Sequence, residues 1–373
     1  MRYRTAMEIE SPVQILFDGT FLGNPSGIGR DSRNLLSAAK LSYGDKIEIV
    51  YPAYSAKLKF TIRGKKTSHL VSKIAQLSIV LGRPQNVLVP PNSVYIQSHL
   101  YGPIPIGENL KHILRVHDIF PISNPIWFKK ISVKLFNKLF FSLPSDTRIL
   151  CDSKSTQSEV RRVRPDLSDV RVAYCPVQIP KTESCENCSL CIDGFKSNKT
   201  YFVSIGTIEP RKNYDSLIDF WTGSDFCRER GFELIILGKK GWKSKKLCRL
   251  LQKNSINRIT WIRDACDHAL FLVLKDSIGL ISLSHAEGFN LPVAEAILSG
   301  VPVLLSKNNA HEEIYGDIGH FLIDQSAESF EQSLKKLVEG EKRSALMIDN
   351  LAFDQAMATV AKSLMINSID PIN

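Results

Sequence analysis

Residues 278–300 read IGLISLSHAEGFNLPVAEAILSG: an apolar run, a polar loop and a helical pattern. The run is short and rich in isoleucine and leucine, as expected of a strand covered on both faces. Pro292 has the backbone angle favoured at the first position of a helix, which leaves Glu287 in the loop and puts Glu295 about one turn into the helix. The N–H groups of Gly288, Phe289, Asn290 and Leu291 then point at an anion site at the helix start. One carboxylate lies ahead of that site and the other behind it. The pair therefore suits hydroxyls on either side of a diphosphate better than the acid and base of a glycosidase. Strand, loop and helix in this order form the unit of a parallel α/β sheet.

The alternation continues outward in both directions. The first half predicts strands at VQILFDG, IEIVY, SVYIQSH, HILRVHD, TRILCDS and VRVAYCPV, and the second at YFVSIGT, FELIILG, RITWIR, IGLISLS, VPVLLS and HFLID. At 373 residues the chain exceeds the roughly 250–300 at which one core stops growing. The expected fold class is α/β, with two Rossmann-like doubly wound domains whose strand ends face a central cleft. The first spans residues 1–190 and the second 191–350, with a helical segment over 351–373 packing back on the first. The polar stretch KTESCENCSLCIDGFKSNK, residues 181–199, marks the boundary.

Composition narrows the class of partner. No apolar run approaches the roughly 20 residues of a membrane span, and the start lacks the apolar region of a secretory signal, so a cytoplasmic protein is expected. Residues 1–190 carry 26 Lys and Arg against 15 Asp and Glu, whereas 191–373 carry 22 against 23, so the net charge of +10 belongs to the first half. A basic half attracts phosphates or anionic membrane, and without a recognisable nucleic-acid module no nucleic acid is expected. The segment WFKKISVKLFNKLFFSL sets Lys130, Lys134 and Lys138 on one helical face beside Ile131, Leu135 and Leu139. Such a helix suits an anionic lipid surface, and the plainer alternative is a solvated lysine face over a core helix. Cys185, Cys188 and Cys191 have the spacing of a metal site that Cys175 could complete, weighed against an incidental cysteine-rich loop; no metal is expected. Cys151, Cys227, Cys248 and Cys266 are expected as buried reduced thiols.

Three further motifs sit at strand ends. DGTFLGNPSGIGRDSRNLL gives a glycine-rich loop from Gly23 to Gly29, leading into a helix from about Arg30, with Ser32 where a dinucleotide fingerprint has its third glycine. HILRVHDIFPISNPIWF ends a strand with His117 and Asp118, a pair able to transfer a proton or orient a sugar hydroxyl, or else a structural histidine. His99 closes SVYIQSH in the same way. In YFVSIGTIEPRKNYDSLIDFW a strand ends at Gly206, and Arg211 and Lys212 precede a helix expected to be capped by Asn213. A planar fork and a point charge there suit a diphosphate.

Taken together, EGFNLPVAE, GVPVLLS, HEEIYGDIGHFLID, GTIEPRKN, DGTFLGNPSGIGR and VHDIFPISNPIWF resemble the retaining glycosyltransferases of family 4, with the GT-B fold. The likeness covers most of the chain and is strongest to mannosyl- and related transferases of bacterial polysaccharide assembly. Ser26 departs from the family's frequent second glycine, and the cysteine-rich linker is not a family feature. The resemblance implies a nucleotide-sugar donor bound mainly by the second domain, with Gly206 and Gly288 to Leu291 around it. Arg211 and Lys212 would neutralise the diphosphate, Glu295 would accept from the ribose, and Glu287 would hold donor-sugar hydroxyls. His117 would approach the sugar from the first domain, Gly27 and Gly29 would line the cleft, and His99 and Asp118 would lie on the acceptor side. It also implies retention of configuration without metal or cofactor, and a saccharide or lipid-linked saccharide acceptor. GDP-mannose is the preferred donor over a UDP- or dTDP-sugar. A GT-B-fold nucleotide-sugar epimerase and a non-catalytic membrane-associated scaffold are the other classes.

Overall fold

Each run of isoleucine, leucine and valine named above becomes a parallel strand in the computed structural model. The structure describes residues 13–24, 27–52, 61–62, 86–177, 179, 200–252, 258–263, 265–340 and 353–365. The first sheet holds β1 (Gln14–Asp18), β2 (Ile47–Pro52), β3 (Thr61–Ile62), β5 (Ser93–Gln97), β7 (Lys111–Val116), β8 (Arg148–Cys151) and β9 (Val170–Val172) in the order β3-β2-β1-β5-β7-β8-β9. Among the described residues only β3 runs antiparallel, against β2, and β4 (Asn86–Leu88) and β6 (Ile104–Ile106) pair apart from the sheet. The second sheet holds β10 (Tyr201–Ile205), β11 (Glu233–Leu237), β12 (Ile259–Ile262), β13 (Gly279–Ser282), β14 (Val303–Leu305) and β15 (His320–Phe321), all parallel, in the order β12-β11-β10-β13-β14-β15. The α/β, doubly wound architecture expected from the sequence is therefore present. The strands β3, β4 and β6 were not expected, being two or three residues long and, in β6, carrying Pro105.

Helices cover both faces of each sheet, which explains why the strands are apolar on both sides. On one face of the first sheet the helix Gly27–Tyr43 packs with Ile15, Phe17, Val94 and Ile96, joined by Met357, Val360, Ala361 and Leu364 of the helix Phe353–Leu364. The other face is covered by Phe136, Leu139 and Phe140 of the helix Lys130–Phe141 and Val160 of the helix Lys154–Val163. The second sheet lies between two further clusters, one of which takes in Cys175 and Val177 from beyond β9. The boundary stretch 181–199, with Cys185, Cys188 and Cys191, lies outside the described residues.

Three local expectations need correction. The first helix begins at Gly27 rather than near Arg30. First-turn N–H groups have no helical partner to lose, so glycine is tolerated there, and a Cβ at Gly29 would overlap the Asn24 carbonyl. Asn213 occupies the cap position in the left-handed conformation, at φ 53°, and makes no side-chain cap hydrogen bond. Cys151, Cys227 and Cys248 are buried, whereas Cys266 is half-buried and its Sγ accepts from the Ala269 N–H at 3.3 Å to cap a helix.

Candidate active site

Strand order reverses between β1 and β5 in the first sheet and between β10 and β13 in the second, and ligands of open α/β sheets bind at such crevices. From the first sheet the strand ends deliver Asp18, His99, His117 and Asp152. From the second they deliver Gly206, the turn Glu209–Lys212 and the loop after Ser282.

In the second domain, Arg211 and Lys212 converge on Glu287. Arg211 donates to Glu287 Oε2 at 2.5 Å, to the Ala286 carbonyl at 2.9 Å and to Glu209 Oε1 at 2.8 Å, and Lys212 Nζ donates to Glu287 Oε1 at 2.6 Å. Burial alone would raise the Glu287 carboxyl, but the two cations overcome it and hold it well below the usual carboxylate range. Glu209, at the rim of the same cluster, is raised by burial. Gly206, at φ 152°, leaves room for the Lys212 side chain, 3.1 Å from where a Cβ would stand. Asn290 is left-handed at φ 73°, and its side chain reaches Ser282 at 3.0 Å and His311 at 2.9 Å, fixing the loop before the helix Leu291–Leu298. Phe289 is a core side chain against Tyr174 and Tyr315, so at the cleft this residue offers backbone only.

In the first domain, His117 Nδ1 lies 2.8 Å from Asp152 Oδ2, and its Nε2 is buried without a hydrogen-bond partner. Arg115, 1 % exposed near the C-terminal end of β7, touches Asp152 Oδ1 at 2.8 Å, Asp31 Oδ2 at 3.2 Å and Cys175 Sγ at 3.2 Å. Cys175 is thus placed beside Arg115. His99 accepts the Tyr101 N–H on Nδ1 at 3.1 Å, and burial pushes its pKa down to about 3, so it is neutral. Asp118 accepts the Phe120 N–H at 3.2 Å and is raised by burial. His99, His117 and Asp118 line a cavity of about 460 Å³, whose apolar wall includes Phe21, Tyr101 and Phe136.

The two domains meet over this ground. A Cβ on Gly288 would overlap the His117 carbonyl, so only glycine allows the Glu287 loop to close on the His117 strand end. Gly27 faces Leu291, Glu295 pairs with Arg30 at 2.6 Å, and the Arg211 guanidinium lies 5.4 Å from the Phe120 ring centroid. Burial raises Glu295 to about 7 although Arg30 opposes it. Trp127 stacks on His285, Phe128 stacks on Trp242, and Trp242 Nε1 donates to the Trp127 carbonyl at 2.8 Å. Glu313 accepts the N–H groups of Lys154 at 2.7 Å and Ser155 at 2.8 Å, capping a first-domain helix from the second domain.

The structure thus gathers Arg211, Lys212, Glu287 and Gly206 on one side, and His117, Asp118 and His99 on the other. Asp31, Arg115, Asp152, Trp242 and Glu313 were not anticipated. A readable signal existed for two of them: Arg115 interrupts an apolar strand with a charge, and Asp152 ends a strand as His117 does. Among the described residues no group of three or more His, Cys, Asp and Glu is arranged to hold a metal ion.

Residues 192–352 match the family Glycosyl transferases group 1. The serotype-specific mannosyltransferase WbdA of Escherichia coli is 26% identical over 219 residues, covering 53% of this chain and 26% of that protein. The O-antigen chain mannosyltransferase B of Escherichia coli is 29% identical over 212 residues, covering 54% of this chain and 55% of its own length. The chain therefore spans a quarter to about half of these curated relatives. Among solved structures, WaaG, a glycosyltransferase involved in lipopolysaccharide biosynthesis, aligns with 95% of this chain and 96% of its own at a TM-score of 0.55 and 13% identity. HepE of Anabaena in complex with UDP-glucose aligns with 94% of this chain and 93% of its own, with TM-score 0.55 and 16% identity. These structures share the GT-B fold with the chain.

Proposed function

We propose that this chain, whose residues 192–352 form a glycosyl transferases group 1 domain, is a glycosyltransferase that moves a hexose from a sugar nucleotide to a saccharide acceptor with retention of configuration. The observation that carries the reading is the pair of cations tied to Glu287, placed by Gly288 against the His117 strand end. Glu287 preorganises Arg211 and Lys212, so neither has to be ordered when a diphosphate arrives. Lys212 uses one N–H on Glu287 and has two more to offer a phosphate oxygen. As the bond to the leaving diphosphate breaks, negative charge grows on its oxygens, and fixed cations stabilise that charge more than the ground state. Glu287, held ionised, accepts from sugar hydroxyls, and Glu295 accepts from the ribose once Arg30 yields it. The acceptor enters the 460 Å³ cavity, where the rings of Phe21, Tyr101 and Trp242 suit the apolar face of a sugar.

Mannose from GDP-mannose is the preferred donor, supported by the mannosyltransferases among the similar proteins. The acceptor reading extends to a lipid-linked saccharide at the cytoplasmic face of a membrane. Lys130, Lys134 and Lys138 are exposed on one helix, and Ile126 and Ile131 stand out beside them at 78% and 55% exposure. Thermal shifts with GDP-, UDP- and dTDP-sugars test the donor, because a ligand that binds the native state stabilises it. GDP-mannose is expected to raise the melting temperature in wild type and not in Arg211→Ala, which is expected to lose at least about 100-fold in turnover. A panel without any shift would remove the donor reading.

A further inference from the structure

His117 has an ordinary imidazole's two possible parts in such a site. With a proton only on Nδ1 it presents a bare Nε2 and acts as a base; with both protons it presents a charged donor. We propose that Asp152, braced by Arg115, is the positioning residue that makes His117 a cationic hydrogen-bond donor to the sugar in the cleft, rather than a base that removes the acceptor's proton. The inference rests on the transferase reading above for the identity of the ligand, but not for the state of the ring.

Geometry comes first. Asp152 divides its two oxygens between two partners: Oδ2 faces His117 Nδ1 at 2.8 Å, and Oδ1 faces Arg115 Nε at 2.8 Å. Arg115 cannot swing away, because its guanidinium also donates to the Ala173 carbonyl and reaches Asp31 and Cys175. Asp31, from the helix Gly27–Tyr43, adds a second carboxylate 4.0 Å from His117 Nδ1. Two carboxylates therefore meet one guanidinium, and the buried cluster is neutral only when His117 carries the second charge.

The groups around the ring agree with this count. Burial pushes His117 down, yet Asp152 and then Asp31 overcome both burial and the repulsion of Arg115, raising it to about 9. Burial would likewise raise Asp152, but Arg115 and His117 hold it low. His99, with ring centroid 5.5 Å away, is driven the other way and stays neutral. Asp118 follows His117 in the chain and interacts with Arg211 and Glu287 of the second domain. Two neighbouring histidines, one charged and one neutral, divide a site into a donor and a neutral wall. His117 Nε2, buried and unpartnered, is then an N–H lacking an acceptor, which a sugar hydroxyl supplies.

The test is a nuclear magnetic resonance titration of the full chain with labelled histidine, assigned among its eight histidines by His117→Gln. His117 is expected to titrate well above neutral in wild type and at least about two pH units lower in Asp152→Asn, with Asp152→Glu restoring most of the shift. The matching kcat/KM profile, read with the nucleotide sugar that the panel identifies, is expected to fall on the alkaline side. That limb is expected to move down with Asp152→Asn while a saturating donor still binds. A wild-type His117 titrating at or below neutral would overturn the proposal even if the variant fails to fold, and so would activity that rises as His117 loses its proton. If no nucleotide sugar binds, the transferase reading falls, while the titration still decides the state of the ring.

Discussion

Gly288 shows how a single residue governs the site. It carries no side chain to hold a ligand, yet any Cβ there meets the carbonyl of His117 across the cleft. Gly288→Ala is expected to keep the second domain folded but to force the two strand ends apart, with turnover lower by at least about tenfold. A small misplacement of reacting groups is enough for such a loss. Wild-type turnover with retained stability would show that the close approach has no part in activity. The sequence marks Gly288 as one of several loop residues, and the reason for glycine there lies on a strand about 170 residues earlier. The same limit applies to Glu287. Its carboxylate can be placed in a loop from the sequence, but its ties to Arg211 and Lys212 require β13 to lie beside β10, and these strands are not consecutive.

At the scale of elements, periodicity made twelve strands legible, since parallel strands covered on both faces are continuous apolar runs. The short strands and the helix start escaped because two or three residues carry no period and a first helical turn tolerates glycine. The helix Lys130–Phe141 was readable in type but not fully in its sides. Leu139 is buried with Phe136 and Phe140, whereas Ile131 and Phe141 are exposed. Replacing Lys130, Lys134 and Lys138 together by glutamine is expected to weaken flotation with anionic vesicles by about 1 kcal/mol per lysine without lowering turnover on a soluble acceptor. Wild-type protein that ignores anionic vesicles would remove the membrane reading. Among the described residues no helix is long and apolar enough to cross a membrane.

At the scale of the molecule, the ties between the domains include Arg30 to Glu295, Glu313 to the Lys154 helix, Trp242 to Trp127, and Gly288 on His117. Glu313 caps a helix that belongs to the other domain, so its loss weakens both the cap and the closed arrangement. Glu313→Ala is expected to cost about 1 kcal/mol and to increase the radius of gyration in small-angle scattering. An unchanged radius would show that the remaining ties suffice.

By itself the sequence determined the alternation of strands and helices, the two α/β sheets, and which chemical groups stand at strand ends, because these follow from local periodicity and turn chemistry. Only the tertiary structure decided the partners. It set β7 against β8, which joins His117 to Asp152, and β10 against β13, which joins Arg211 and Lys212 to Glu287. Charge state depends on burial and on distances of a few ångströms between residues far apart in the chain. No local pattern holds that information.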